Sequence, residues 1–306
     1  KFSNGSELKC TPYHKFYIVD DKDYKYSKKI KVVEARDLTE NMKIIKYNFP
    51  VINDGYDDFK YPYTHGFFCA DGTYSKIKED EKQCNFNKYN DTDYCKRHLY
   101  FENYEMKKYE NNKCQATVNI DKPYIFLYGE KKKLEKYFDL RDGSKPYDNK
   151  NRRVITLPYD INKKFCVPIN ANLETKLRWL EGYLDGDGCV CRNGPTFSIQ
   201  AASIEKKFLI DIQYMLSTMG VSSKISKNRE EGLYKLPNQK GDLENYNCKN
   251  VYRILISSYY LYKLVELGFS PKRLKINNHK ANRNASKFIT ITGTEFLEEK
   301  MDTFCF

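Results

Sequence analysis

The stretch RWLEGYLDGDGCV, residues 178–190, begins as an apolar, helix-like segment and ends on two acids placed between glycines. Asp185 and Asp187 occupy this end, beside Gly186 and Gly188. Acids are unfavourable at the C-terminus of a helix, because the helix dipole is already negative there. The pattern therefore predicts that a cation is bound where this helix ends.

A second copy of the pattern lies upstream, as YTHGFFCADGTY at residues 63–74. Alignment of the copies pairs Asp71 with Asp187, whereas Asp185 is matched by Cys69, so only one acid is shared. The distance between the copies is the length of one compact subdomain. The repeat therefore indicates two subdomains related by pseudo-twofold symmetry.

Each copy also has small residues four positions apart, which share one face of a helix. Small residues on one face allow two helix backbones to approach closely. The predicted helices therefore pack side by side, and their carboxylates project from adjacent ends, where they favour a divalent cation with oxygen ligands. The helix-interface residues in this prediction are Gly66, Ala70, Gly182 and Gly186.

WLEGYLDGDG resembles the LAGLIDADG motif of homing endonucleases, and YTHGFFCADG resembles a degenerate first copy of it. The resemblance implies an α+β fold of two αββαββα halves, whose motif helices meet and whose sheets straddle DNA. It implies that Asp71 and Asp187 bind Mg²⁺, or Mn²⁺, and that the enzyme makes a site-specific double-strand break. Further catalytic candidates on this basis are Gln200 and either Lys272 or Lys275.

The charge of the chain suits a polyanion-binding surface. The net charge is +12 and 15% of the residues are aromatic, although a lysine-rich proteome would produce a similar balance. Two segments, at residues 148–154 and 270–284, carry little acid and are candidates to neutralise phosphates. The predicted DNA-binding residues in them are Arg152, Arg153, Arg273 and Lys280.

The flanks carry a different pattern. GSELKCTPYHKFYI, residues 5–18, resembles the block around Thr-x-x-His in inteins, the self-splicing elements with an all-β Hint fold. The resemblance implies that Thr11 and His14 activate the N-terminal splice junction. FITITGTEFLEEKMDTFCF, at the other end, resembles the start of the C-terminal Hint half and places Cys305 where Asp or Cys is common.

Together these patterns predict an intein, similar to those of ribonucleotide reductase large subunits, that contains an endonuclease. The chain lacks a nucleophile far enough upstream of Thr11 and a terminal His-Asn pair, so we expect no self-splicing or autocatalytic cleavage from it as written. An alternative is a DNA-binding or splicing scaffold whose endonuclease is inactive. The predicted segments are 1–56 and 286–306 for the Hint parts, with 57–170 and 171–285 for the endonuclease halves.

Ten cysteines spread over 306 residues indicate reduced, intracellular thiols rather than a dense disulfide scaffold. A possible zinc site lies in the polar stretch after the first motif, although surface cysteines are the alternative. Long apolar runs are absent, so we expect no membrane association. The expected partners are double-stranded DNA of the uninterrupted host gene and the host protein before splicing, and we expect a monomer. The zinc candidates are Cys84, Cys95, His98 and Cys114.

Overall fold

The computed structural model describes residues 1–19, 30–75, 122–194, 196–238, 241–276 and 285–298. The chain forms two compact units, of which one comprises Lys1–Asp71 with Asn162–Phe306 and the other Gly72–Ile161. Within the described ranges, every helix is too short or too polar to cross a bilayer.

The first unit is centred on two helices, α1 (Pro62–Asp71) and α2 (Leu173–Asp187), which pack against each other along their length. The Asn172 side chain begins α2 by accepting a hydrogen bond from the Thr175 amide at 2.8 Å. A Cβ on Gly66 would overlap the Trp179 carbonyl oxygen, and one on Gly182 would overlap that of Tyr63. Glycine at both positions therefore lets the backbones touch, as the four-residue spacing predicts.

A four-stranded antiparallel sheet and two helices follow α2 in the chain. Ile199, Ala201 and Ile254 point from the sheet into the core that it shares with these helices, so alternate residues face the other way. Gly220, at φ 66°, ends the first of the two helices. In the order in which they pair, the strands are β10 (Ser223–Arg229), β13 (Val251–Ile256), β9 (Thr196–Ser203) and β8 (Cys189–Asn193), and the helices are α3 (Lys206–Thr218) and α4 (Ser258–Glu266). A two-stranded ribbon of β11 (Gly232–Pro237) and β12 (Leu243–Cys248) connects β10 to β13.

The second unit contains another four-stranded antiparallel sheet. Its strands pair in the order β4 (Gly72–Ser75), β5 (Lys122–Leu127), β7 (Arg152–Thr156) and β6 (Tyr147–Asn149). In both sheets the first strand pairs with the second, the second with the fourth and the fourth with the third. This shared connectivity supports a duplicated unit.

The first half departs from the predicted αββαββα order in two ways. A 3₁₀ helix, Gly129–Tyr137, stands where the second half has α3. Its sequence is mostly charged and buries only Leu134, so it lacks the apolar stripe that holds a longer helix against a sheet. Among the described residues, no helix lies between β7 and α2 to match α4.

The two ends of the chain form a third sheet. Its strands pair in the order β14 (Phe288–Thr290), β3 (Lys43–Ile45), β1 (Lys15–Val19) and β2 (Ile30–Glu34), and a 3₁₀ helix, Ala35–Asp37, follows β2. Phe2 also pairs with Ile291, and Ile291 packs with Ile18 and Ile44 in a small core. The two flanks therefore pair in one sheet, although they lie at opposite ends of the sequence.

The flanks share one compact unit with α1, α2 and the sheet that follows α2, and the predicted division into Hint and endonuclease segments stays a prediction. The Ile225 amide of β10 donates to the Asn4 carbonyl at 2.8 Å, and the Gln213 side chain donates to the same oxygen at 3.2 Å. The Ile52 amide donates to the Thr218 carbonyl at 2.8 Å. These bonds attach the flanks to α3 and β10 and explain why they share the first unit.

Candidate active site

Two carboxylates lie at the ends of the packed helices. Asp71 is the last residue of α1, and Asp187 is the last residue of α2. The helices remain in contact as far as these ends, because a Cβ on Gly186 would overlap that of Ala70. Asp187 is exposed and Asp71 is half-buried. The two acids thus lie at neighbouring helix ends, and each has a solvent-accessible side chain.

The surroundings of these acids fit a hard divalent cation. The described residues contain no cluster of three or more His, Cys, Asp or Glu side chains that would enclose a metal. Two carboxylates completed by water and substrate oxygens suit Mg²⁺, which keeps several waters. The Tyr183 hydroxyl, one turn before Asp187, is buried without a partner among the described residues. Burial and the Asp187 charge raise the Tyr183 pKa, so the hydroxyl stays protonated and can donate to a bound oxygen.

Asp185, the other acid of the opening stretch, has a different role. Its side chain is buried, and it accepts from the Tyr63 hydroxyl at 2.9 Å. The amides of Lys272 and Arg273 donate to it at 2.7 and 2.8 Å. The Asp185 carboxylate holds residues 270–274 across the end of α2. We call this segment the second strap, because it belongs to the second half of the repeat. Buried Asp185 is thus stabilised by protein donors, without any cation.

Arg273 supplies a cation at the end of α2. Its guanidinium donates to the carbonyl oxygens of Gly188 and Leu184 at 2.6 and 3.1 Å, and also to that of Asp185. A positive group is favourable at a helix C-terminus. Arg273 therefore caps the C-terminus of α2, and its predicted contact with DNA stays a prediction.

The two lysines proposed from the sequence lie on or beside the second strap. Lys272 directs its ammonium to the Ser270 carbonyl at 2.7 Å and to the buried Glu181 carboxylate at 3.5 Å. Glu181 also accepts from the Ser270 amide at 2.8 Å. Lys275 is exposed. These two contacts of Lys272 lie beside the body of α2.

Lys164 is a basic residue of the site that the sequence analysis missed. It is half-buried, and burial lowers its pKa while the carboxylates of Asp187 and Asp71 oppose that change. Its ammonium therefore lies in the field of both motif acids. A signal was available, because NKKFC (162–166) aligns with SPKRL (270–274) and matches Lys164 to Lys272.

Residues 163–166 form a first strap that is tied to α1. The Phe165 amide donates to the Cys69 sulfur at 3.3 Å, and His65 Nε2 lies 3.0 Å from the Lys163 carbonyl oxygen. Trp179 Nε1 lies 2.8 Å from His65 Nδ1. Because an indole N–H can only donate, Nδ1 accepts and the His65 proton lies on Nε2. Burial lowers the His65 pKa to about 4, so the ring is neutral at pH 7.

Gln200 lies on the face of the second-half sheet that points away from α3 and α4. It is flanked there by Arg253, whose Nη1 donates to Gln200 Oε1 at 3.2 Å. Lys224 on β10 is exposed. Arg, Lys and Gln side chains are donors that read base edges and hold phosphates. This face therefore presents side chains of the kind that contact DNA.

The predicted basic residues of β7 are less available. Arg153 donates to Glu135 at 2.6 Å and to Asp148 at 3.0 Å, and these contacts, led by the Glu135 hydrogen bond, raise its pKa. Arg152 packs on the Phe126 ring, with 3.9 Å between its guanidinium carbon and the ring centroid. Arg153 is thus neutralised within its own unit, contrary to the expectation of a phosphate contact.

Thr11 and His14 form a turn before β1, in which the His14 amide donates to the Thr11 carbonyl at 3.1 Å. The His14 side chain is exposed, and its ring meets Phe16 edge to face with 5.1 Å between centroids. The other candidate residues lie outside the described residues and stay predictions. They are Cys305, Lys280, Cys84, Cys95, His98 and Cys114.

Comparison with known proteins places the chain within longer relatives. It is 39% identical over 317 residues to the ribonucleoside-diphosphate reductase large subunit of Invertebrate iridescent virus 6, with 100% of this chain and 28% of that protein covered. It is 26% identical over 275 residues to the nrdEB subunit alpha of the same reductase from Bacillus phage SPbeta, covering 84% and 22%. The match to the ATP-dependent DNA helicase Hel308 of Methanocaldococcus jannaschii is 24% identical over 302 residues, covering 96% and 23%. The chain thus spans about a quarter of the length of each relative.

A solved structure of mesophilic variants of the homing endonuclease I-DmoI superposes with a TM-score of 0.34 and 13% identity, over 70% of this chain and 96% of that chain. That score is too low to carry an argument about the fold. A family model described as a LAGLIDADG-like domain matches residues 174–267. These residues hold nearly all of α2, the sheet that follows it and helices α3 and α4, and this part of the chain is therefore similar to LAGLIDADG-like domains.

Proposed function

We propose that the chain is a homing endonuclease of the LAGLIDADG type, which makes a double-strand break in DNA with a divalent metal and is carried within an intein. The observation that carries this proposal is the pair Asp71 and Asp187 at the touching ends of α1 and α2. The close glycine contacts between the helices support a single site that uses both acids.

The chemistry of the site follows from these side chains. A Mg²⁺ ion held by Asp71 and Asp187 would supply a Lewis acid and would activate a water toward the phosphate. Lys164 adds a positive charge beside the acids, where it would stabilise a phosphate that the carboxylates alone would repel. The Tyr183 hydroxyl would orient an oxygen next to Asp187.

DNA would be bound by the open face of the second-half sheet. Gln200 and Arg253 lie side by side on that face, and Lys224 stands on its edge strand. The net charge of +12 favours association with the phosphate backbone and predicts that affinity falls as salt rises. Base contacts would come from the strands and phosphate contacts from exposed lysines such as Lys275.

Two observations support an insertion within a host protein. The same length of chain matches inside a reductase large subunit and inside a helicase, so what it shares with them is not the chemistry of either whole protein. The two flanks also pair in one sheet although they lie at opposite ends of the sequence. On this basis Thr11 and His14 are proposed as splicing residues, together with Cys305.

The test uses a supercoiled plasmid that carries an uninterrupted ribonucleotide reductase large-subunit gene. The purified chain should convert it to linear DNA in Mg²⁺, and Asp187→Asn should lower that rate at least about a thousandfold, because several kcal/mol of metal-dependent stabilisation are lost. Binding in Ca²⁺, measured by titration, should stay equal or become tighter, since a charge that repels phosphate is removed. Binding without cleavage by the parental chain, in Mg²⁺ or Mn²⁺, would instead favour the inactive scaffold.

A further inference from the structure

The two straps are held by equivalent positions of the two motif helices. The residues two and six positions before the last acid are Cys69 and His65 in α1, and Asp185 and Glu181 in α2. In each helix both of these side chains contact the backbone of the strap beside it. The straps are therefore counterparts, and each presents a lysine one residue before an anchored amide.

The chemistry of the anchors differs between the halves. Carboxylates hold the second strap, and hydrogen bonds to an ionised acceptor are the stronger kind. Neutral groups hold the first strap, namely the Cys69 sulfur and the His65 imidazole. Phe165 in the first strap also has φ 70°, which is unfavourable for a residue with a side chain. The first strap thus depends on its few side-chain anchors to keep this conformation.

We propose that His65 is the positioning residue for Lys164. The Trp179 N–H fixes the imidazole by donating to Nδ1, and Nε2–H then holds the Lys163 carbonyl, which sets where the next residue stands. This anchoring sets the backbone from which the Lys164 side chain projects, with its ammonium 5.3 Å from the Phe165 ring centroid. His65 itself lies behind the strap, fully buried, and touches neither acid. The inference rests on the proposed endonuclease function and assigns a residue that supports it from outside the reacting groups.

The first readout does not need DNA. Amide hydrogen exchange of Phe165 should accelerate about tenfold or more in His65→Ala, because one of the two anchors of the strap is lost. The amides of Lys272 and Arg273 in the second strap serve as an internal control and should keep the exchange of the parental chain. His65→Gln, whose amide can still donate to the Lys163 carbonyl, should restore much of the protection of Phe165.

The second readout is kinetic. His65→Ala should lower kcat for plasmid cleavage about tenfold or more with KM for DNA within about twofold of the parent, since Lys164 is displaced while the DNA-binding sheet is intact. Trp179→Phe, which keeps a ring but removes the donor to His65, should lower kcat in the same direction. It also provides a test if His65→Ala does not fold.

The outcomes separate the two proposals. Unchanged Phe165 exchange in both His65→Ala and Trp179→Phe would overturn the positioning role, and so would an unchanged kcat. Equal acceleration in both straps would also overturn it, because it would report a general loss of stability. A parental chain that cuts no DNA would overturn the endonuclease function, while the exchange data would still decide whether His65 anchors the strap.

Discussion

The two motif helices share their contact and their final acid, but they differ in how they hold the chain beside them. In α2, Asp185 is a buried carboxylate that is satisfied by backbone amides and a tyrosine hydroxyl. In α1 the same position is Cys69, a neutral thiol with one amide donor. The acids of the proposed cation site are therefore the same in both copies, whereas the residues that anchor the straps differ.

This difference has an energetic consequence. Burying a carboxylate costs several kcal/mol unless each oxygen is well satisfied, and removal of such an acceptor leaves its donors unpaired. A buried thiol costs little and gives a weak hydrogen bond. We therefore expect that removal of the Asp185 side chain lowers the free energy of unfolding much more than removal of the Cys69 side chain does.

The largest expected loss of stability comes from the feature that the halves share. Gly182→Ala and Gly66→Ala should each destabilise the chain by about 3 kcal/mol or more, because the new Cβ would overlap a backbone carbonyl oxygen that cannot move independently of its helix. Urea denaturation followed by circular dichroism measures this loss. Gly293→Ala is the matched control, since a Cβ there meets only Glu40 at 3.9 Å. Near-parental stability of Gly182→Ala would mean that the helices are not in backbone contact.

The next expected effect separates the two anchors. Asp185→Ala should cost about 3 kcal/mol, because it leaves buried amide donors without an acceptor. Cys69→Ala should cost only about 1 kcal/mol, since a small side chain and one weak hydrogen bond are lost. The same denaturation experiment measures both variants. Equal losses of stability in the two variants would show that the carboxylate and the thiol anchor contribute equally to stability.

A smaller effect concerns acid pH and the first strap. The His65 pKa is about 4 in the folded chain and about 6.5 when unfolded, so the unfolded state binds the proton more readily and stability falls as pH drops from 6.5 toward 4. The contribution of His65 between pH 6.5 and pH 4.5 should be about 2 kcal/mol. This contribution is measured as the difference between the parental chain and His65→Gln in how the free energy of unfolding changes with pH. A parallel pH dependence in the two proteins would contradict the buried, neutral state of the ring.

The smallest expected effect compares the two sheets as DNA-binding surfaces. Lys224→Ala should weaken DNA binding several-fold and reduce the slope of log affinity against log salt by about one unit, because an exposed lysine of the polar face is lost. Arg153→Ala should leave both quantities unchanged, since that guanidinium is paired with Glu135 and Asp148. Titration at several salt concentrations in Ca²⁺ measures them. Weaker DNA binding by Arg153→Ala, with unchanged binding by Lys224→Ala, would indicate that the second unit binds the DNA.

The sequence was sufficient for features that depend on spacing along one element. Residues four apart predicted the Gly66 and Gly182 contacts, and the end of each motif predicted Asp71 and Asp187 at neighbouring helix ends. The sequence was insufficient for contacts between residues that lie far apart in the chain. Nothing in the local pattern of Arg273 distinguishes a phosphate ligand from a helix cap, because either role needs only an exposed positive charge before folding.

Lys164 was missed for a related reason. The repeat is detectable at the glycines, whose backbone contact permits no other residue, but it is nearly erased at the straps, where backbone groups make the contacts and side chains vary. The 3₁₀ helix of the first half shows the same limit. Its charged sequence buries only Leu134 and so lacks the apolar stripe that holds an α-helix against a sheet.

The bond between Asn4 and β10 has a further consequence for solubility. β10 is an edge strand of its sheet, and an unpaired edge can recruit a strand from another molecule. Asn4 occupies the Ile225 amide on that edge, and a Cβ on Gly5 would overlap the Ile225 carbonyl, so the terminal loop lies tightly against it. The N-terminal flank thus covers part of the β10 edge of the second-half sheet. A chain without the N-terminal flank would expose the β10 edge and should aggregate more readily than the whole chain.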